Sequence, residues 1–287
     1  MILALGEGDN MEWHGYSSEQ LVLKNYLEHH GIKGQKLGVR RYQNKDGSLT
    51  KEGYARFAKK RLNNKKTSIS NIDKWGKDRD HNALFITGLS GSGKSTIAKF
   101  LSDSNGAEII HLDHYYGNPL KSEVPTNKEF DEYLNKNVPD YYNKIAKNYQ
   151  DYVSNMNPNG DITKKKEFWN TMDSVRDAML DYSKDRYDKN KVIIEGVQIL
   201  DTAMFPDDIQ KQKALKGQPI IAVGTSPLSS SLRGMQRDGV PLTKLPEHYK
   251  HSVEWNKTYD EFKRNNLHNV SKEYIRKMNQ YVNNNLS

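Results

Sequence analysis

The chain has 287 residues, no cysteine, 35% hydrophobic residues and a net charge of +8. The missing thiol excludes disulfides and thiolate metal sites, and no apolar run approaches the ~20 residues that a membrane-spanning helix needs. The length allows one or two domains around one good core. The start, MILALGEGDN, lacks a basic n-region and a long apolar stretch, so no signal peptide is expected. Together these features fit a reducing, cytoplasmic setting and no membrane partner.

The charge is unevenly placed. Twelve basic residues between His30 and Lys66 face only Asp46 and Glu52, which leaves the rest of the chain slightly negative. A polyanionic partner is therefore to be sought at residues 30–66.

In chain order, Met1–His30 has weak periodicity, and Ser18–Leu27 reads as a short helix. From His30 to Arg61, three glycines (Gly31, Gly34 and Gly38) punctuate basic residues. Asn44-Lys45-Asp46-Gly47-Ser48 is a turn signal. Thr50 followed by Glu52, with a Tyr54/Phe57 pair, predicts a short helix starting there. Asn63–Lys77 is polar and reads as a linker. The expected division is a basic N-terminal module and linker over 1–75, and a main domain over 76–287.

The main domain opens on its most informative stretch. Ala83–Ile86 is an apolar strand that runs into Gly88, Leu89, Ser90, Gly91, Ser92, Gly93, Lys94, Ser95 and Thr96. This is G-x-x-x-x-G-K-[ST] between a strand and a helix, the setting that a phosphate-binding loop requires. Glycines let successive N–H groups turn inward around phosphate oxygens, and the following helix adds its positive dipole end. Lys94 is the candidate for the β- and γ-phosphates, and the Ser95 hydroxyl for Mg²⁺.

Ile97–Leu101 continues the helix, and Asp103–Gly106 ends it. Ala107–Asp113 reads as a second strand ending in Asp113, with His111 and His114 on either side. An acid at the carboxyl end of a strand lies where open α/β sheets bind ligands. Asp113 is a candidate to accept a proton from an attacking hydroxyl or to hold a metal-bound water. A polar insertion follows at about 119–190, with two amphipathic helices, one around Phe130, Tyr133, Leu134 and Val138. The other carries Phe168, Met172, Val175, Met179 and Tyr182. These stripes read as packing, and the insertion could also cover an acceptor site as a lid.

Lys191–Leu200 carries the third strand, whose apolar run fits a buried parallel strand; Glu195 ends it, Gly196 lets the chain turn, and Glu195 is a second candidate acid and metal contact. Gln218–Thr225 is a fourth strand. Pro227–Asp238 reads as a helix presenting Arg233 and Arg237 from one face, suited to clamping phosphate oxygens. Trp255, Tyr259 and Phe262, then Ile275 and Met278, predict closing helices, and no fifth strand is expected in this tail.

Four marks in this order, GLSGSGKST, HLDHYY, VIIEGVQIL and SLRGMQRDG, resemble the small P-loop kinases of the uridine kinase, phosphoribulokinase and pantothenate kinase group. Zeta-toxin and polynucleotide-kinase relatives share much of this layout. The resemblance implies an α/β P-loop NTPase fold, with a mainly parallel sheet flanked by helices. It implies ATP with Mg²⁺, and catalytic roles for Lys94, Asp113, Glu195, Arg233 and Arg237. Ser95, Asp113 and Glu195 would serve the metal. The expected activity is transfer of the γ-phosphate to a hydroxyl of a nucleoside, a sugar, a cofactor precursor or a nucleic-acid end.

Separately, His30–Gly53 resembles a short module of tailed-phage structural proteins, with Leu37 where that module has Trp. That likeness implies a phage or prophage origin and attachment to a structural protein. The setting would then be the host cytoplasm or the virion. It also keeps open a virion-associated nucleotide-binding protein, or an NTPase without a small-molecule acceptor.

Overall fold

The computed structural model describes residues 42–44, 48–203 and 215–266, all within the unit Tyr42–Ser287. The expected helix at Ser18–Leu27, the glycines of the basic module up to Gly38, Leu37, and the tail residues Ile275 and Met278 lie outside these residues.

Five strands form one sheet: β1 (Ser68–Ser70), β2 (Ala83–Gly88), β3 (Glu108–His111), β4 (Val192–Glu195) and β5 (Ile220–Val223). Their order is β1-β5-β2-β4-β3. β2 pairs in parallel with β4 and β5, β3 pairs in parallel with β4, and only β1 is antiparallel. The fold is thus α/β with a mostly parallel sheet flanked by helices. Strands β2, β4 and β5 are buried along their whole length, as expected where helices cover both faces.

The register brings four strand ends to one edge. Ile86 and His111 both pair with Glu195, and Gly88 pairs with Val223. Residues far apart in sequence therefore meet at the carboxyl edge, beside the glycine-rich turn after β2.

The helices form for local reasons. In α1 (Lys51–Leu62), Thr50 is the N-cap and its hydroxyl accepts from the Gly53 N–H. α2 (Lys94–Asn105) follows the glycine-rich loop and ends at Gly106 in the left-handed conformation. α3 (Leu112–Tyr116) is a single turn directly after β3, so Asp113 sits in a helix start and not in the strand.

The insertion holds α4 (Lys128–Asn137), a π-helical turn at Tyr141–Ala146, α5 (Tyr149–Ser154) and the long α6 (Ile162–Asp185). Its aromatic stripes are core. Phe130 and Leu134 are fully buried against Met172, Val175 and Tyr182 in one apolar cluster. Tyr115 and Phe130 meet edge to face at 5.1 Å. α7 (Pro227–Arg237) is capped by Ser226, with Pro227 in its first turn. α8 (Leu245–Asn266) closes the described chain, burying Tyr259 and Phe262.

β4 stops at Glu195 and the chain turns at Gly196, as expected, and Val197–Ala203 beyond it is a 3-10 helix. Position 196 needs a glycine for steric reasons, because a Cβ there would lie 2.6 Å from Leu112 Cβ.

One expectation is corrected, that of the stretch read as a linker. Asn63–Lys77 contains β1, which is the sheet's fifth strand, paired through Ile69↔Ile221. Thr67 Oγ1 accepts from the Gly224 N–H, and Trp75 Nε1 donates to the Asn82 carbonyl. α1 is bound to the same body: Ala55, Ala58 and Leu62 are buried in one cluster with Ile97, Phe100 and Leu101 of α2. Residues 51–75 thus build the sheet's domain instead of leading into it.

This gives a direct stability test. Leu62→Ala should cost about 2–5 kcal/mol, as a buried core position does. Urea unfolding would read it as a lower midpoint, whereas a linker position would shift stability by less than about 0.5 kcal/mol. Among the described residues, no helix is long and apolar enough to cross a membrane.

Candidate active site

The loop after β2 is shaped by glycines. Gly88, Gly91 and Gly93 have φ of 140°, 66° and 100°, conformations that side chains disfavour. All three also need the space. A Cβ on Gly88 would lie 2.4 Å from the Val223 carbonyl oxygen, one on Gly91 2.9 Å from Arg233 Cβ, and one on Gly93 3.2 Å from Arg61 Cγ. The loop then enters α2 at Lys94.

Lys94 is buried, and its Nζ donates to the Leu89 carbonyl at 3.3 Å, curling back under the loop. Ser92 is fully buried, and its hydroxyl has no partner among the described residues.

Beneath the loop lies a buried acid. Glu195 is 3% exposed, and its Oε1 accepts from Ser95 Oγ at 2.9 Å and from His111 Nδ1 at 3.0 Å. Burial pushes the carboxyl up. The His111 bond, the Lys94 charge and the Ser95 bond together outweigh it and hold the carboxyl below its ordinary value. An ionised carboxylate only accepts, so His111 carries its proton on Nδ1. The second oxygen, Oε2, is buried and has no partner among the described residues. Ser95 Oγ and Glu195 therefore offer hard oxygen donors of the kind that Mg²⁺ prefers.

The depressed pKa has a pH signature. A carboxyl that is more acidic in the native chain than in the unfolded one stabilises the fold above its unfolded pKa. That contribution is lost as pH falls through the lower native value. Glu195→Gln should therefore flatten part of the acid-side loss of stability, seen as urea midpoints that fall less steeply below the ordinary carboxylate range. A slope identical to the unaltered chain would contradict the His111 and Lys94 stabilisation.

Asp113 is half-buried on α3, where Gln198 Nε2 donates to its Oδ1 at 2.8 Å. The 3-10 turn after Gly196 is what delivers Gln198 to this acid. His114, the other histidine in the motif, is buried edge-on to Tyr115, and burial holds its pKa below the ordinary value. Among the described residues, no group of three His, Asp or Glu side chains is arranged to hold a metal ion.

On the other side, α7 packs its arginine face on the loop. Arg233 Nη1 donates to the Gly91 carbonyl at 2.6 Å, and Arg237 Nη2 donates to Ser90 Oγ at 3.3 Å. Ser230 Oγ also donates to the Ser90 carbonyl at 2.5 Å. The Asp238 bond holds Arg237 above its ordinary pKa, and the charge of Asp113 adds to this, so acid and arginine share one electrostatic neighbourhood.

Residues expected separately from the sequence thus lie together. Lys94, Ser95 and Glu195 form one cluster, Arg233 and Arg237 contact Ser90 and Gly91, and Asp113 lies within the field of Arg237. The sequence reading missed His111 as a partner of Glu195, Gln198 as a partner of Asp113, and Arg61 beside Gly93. Compared with known protein families and with curated proteins, the chain matches none of them, and its functional reading rests on its own residues.

Proposed function

We propose that the chain is a phosphotransferase that moves the γ-phosphate of ATP to a hydroxyl. The acceptor would belong to a nucleoside, a sugar, a cofactor precursor or a nucleic-acid end. One observation carries the reading. A glycine loop with left-handed turns lies over a buried Lys94 and a Ser95–Glu195 pair, between an acid and two arginines. Each part answers a need of phosphoryl transfer, where catalysis is mainly positioning and charge stabilisation.

In this reading, the loop N–H groups and the start of α2 bind the phosphate chain. Lys94 turns from the Leu89 carbonyl to the β- and γ-phosphates. Ser95 and Glu195 would hold Mg²⁺, with His111 fixing the carboxylate. Bound there, the ion would neutralise charge on the phosphate oxygens. Asp113, oriented by Gln198, takes the proton of the acceptor hydroxyl. The freed oxygen bonds to the γ-phosphorus as its bond to the bridging oxygen breaks, and ADP leaves. Arg233 and Arg237 exchange their loop contacts for the oxygens of the moving group. The sheet's domain supplies all of these residues. The basic stretch at residues 30–66 remains the proposed contact for a polyanion or a phage structural protein.

The test is transfer of label from γ-labelled ATP with Mg²⁺. It would run first in water alone, then with separate pools of nucleosides, sugars, cofactor precursors and 5′-hydroxyl oligonucleotides. Label moving into one pool supports the proposal and names the acceptor class. Release of free phosphate at an equal rate with and without every pool would replace it with an NTPase.

A further inference from the structure

We infer that Arg61, near the end of α1, is a further phosphate-binding residue of the nucleotide site, approaching the loop at a residue that the α7 arginines do not contact. The inference rests on the phosphate-binding reading of the loop and adds a residue that the motif does not contain. The geometry is specific. Arg61 Cγ and Nε both lie 3.2 Å from the position a Cβ on Gly93 would take, and Cδ lies at 3.4 Å. Arg233 and Arg237 meet the loop at Gly91 and Ser90. Arg61 meets it at Gly93, the residue directly before α2 and Lys94. Arginines from two separate helices therefore touch the loop at different points along it.

The position of Arg61 is fixed by its backbone. Its carbonyl accepts from the Asn64 N–H and from Thr67 Oγ1, and Thr67 Oγ1 in turn accepts from the Gly224 N–H just past β5. The buried face of α1, with Ala58 and Leu62, is packed on α2. Arg61 is half-buried, and its guanidinium is a planar, always-charged fork. Loop N–H groups near the start of the helix cradle the inner phosphates, so the natural ligand for Arg61 is the diphosphate part of the nucleotide. The α7 arginines are left to the transferring group. A side chain at Gly93 would crowd the Arg61 stem as well as strain the backbone.

The test is calorimetric titration of the full chain with ATP, ADP and adenosine. Arg61→Gln keeps most of the stem that packs on Gly93 and removes the charge. It should weaken ATP and ADP alike by about tenfold, the loss expected for one charge-assisted hydrogen bond. Adenosine, with no phosphate, should be unaffected. Arg61→Lys should recover part of the loss, because it restores the charge without the fork. Unchanged or tighter ATP binding by Arg61→Gln would overturn the inference, as would an equal loss for adenosine, which would mark a structural role. Failure of the unaltered chain to bind ATP at all would overturn the phosphate-binding reading itself, and Arg61's role with it.

Discussion

Lys94→Ala is expected to lower γ-phosphate transfer by roughly a thousandfold, the upper range for removing one preorganised donor from a transition state. The size follows from where the ammonium sits. Lys94 is 8% exposed, and among the described residues its Nζ has one hydrogen-bond acceptor, the Leu89 carbonyl at 3.3 Å. A cation in so dry a position is weakly screened, so its pull on phosphoryl oxygens is stronger than it would be at the surface. One weak carbonyl contact is also easily exchanged for a phosphate.

The same charge helps keep Glu195 ionised, so the alanine variant should also raise the Glu195 pKa. Lys94→Arg is not expected to rescue the loss, because a planar fork does not fit where a compact ammonium does. Urea midpoints would be measured alongside to separate lost chemistry from lost folding. A properly folded alanine variant with more than a tenth of normal transfer would remove Lys94 from the mechanism.

The reasons why some parts were legible in the sequence are physical. The glycine loop is a local signal: seven contiguous residues, Gly88–Lys94, set its backbone, and the strand and helix on either side are strongly patterned. The order of Asp113, Glu195 and the α7 arginines was also legible, because each stands at the end of an apolar run or on one face of a helix. What linked them was not. His111 and Glu195 are 84 residues apart and meet only because β3 and β4 pair in parallel with those two residues in register.

The turn at Gly196 was legible, but not that the 3-10 helix after it would bring Gln198 to Asp113, 85 residues earlier in the chain. β1 has three residues, Ser-Ile-Ser, too few for an alternating pattern to stand out from a polar linker. Its pairing is decided by β5, about 150 residues later. Arg61 was one of twelve basic residues in a charged run, and nothing local set it apart. Charge density in that run suggested a partner for the whole segment. The part of that run from Tyr42 onward belongs to the unit that holds the sheet.

The second large effect separates the two candidate acids. Asp113→Asn is expected to lower transfer by about 10²–10⁴-fold, the usual contribution of a positioned general base, while ATP binding stays close to normal. The amide keeps the size of the side chain and an oxygen that can still accept from Gln198 Nε2, so the variant removes basicity with little change in shape.

Glu195 is the poorer base for a reason that the geometry makes plain. It is 3% exposed, and Oε1 already receives Ser95 Oγ and His111 Nδ1. Its pKa is also held below the ordinary value, which weakens it as a proton acceptor. Asp113 is half-buried and bonded on one oxygen, so an acceptor hydroxyl has an approach to it. Single-turnover transfer at saturating ATP would compare Asp113→Asn with Glu195→Gln. Loss of the chemical step in the first, with ATP still bound, is the expected result. If the asparagine variant transferred label at the normal rate, Asp113 would not be the base. If it kept normal phosphate release with no acceptor present, the site would be one that activates water, and hydrolysis would replace transfer as the reaction to explain.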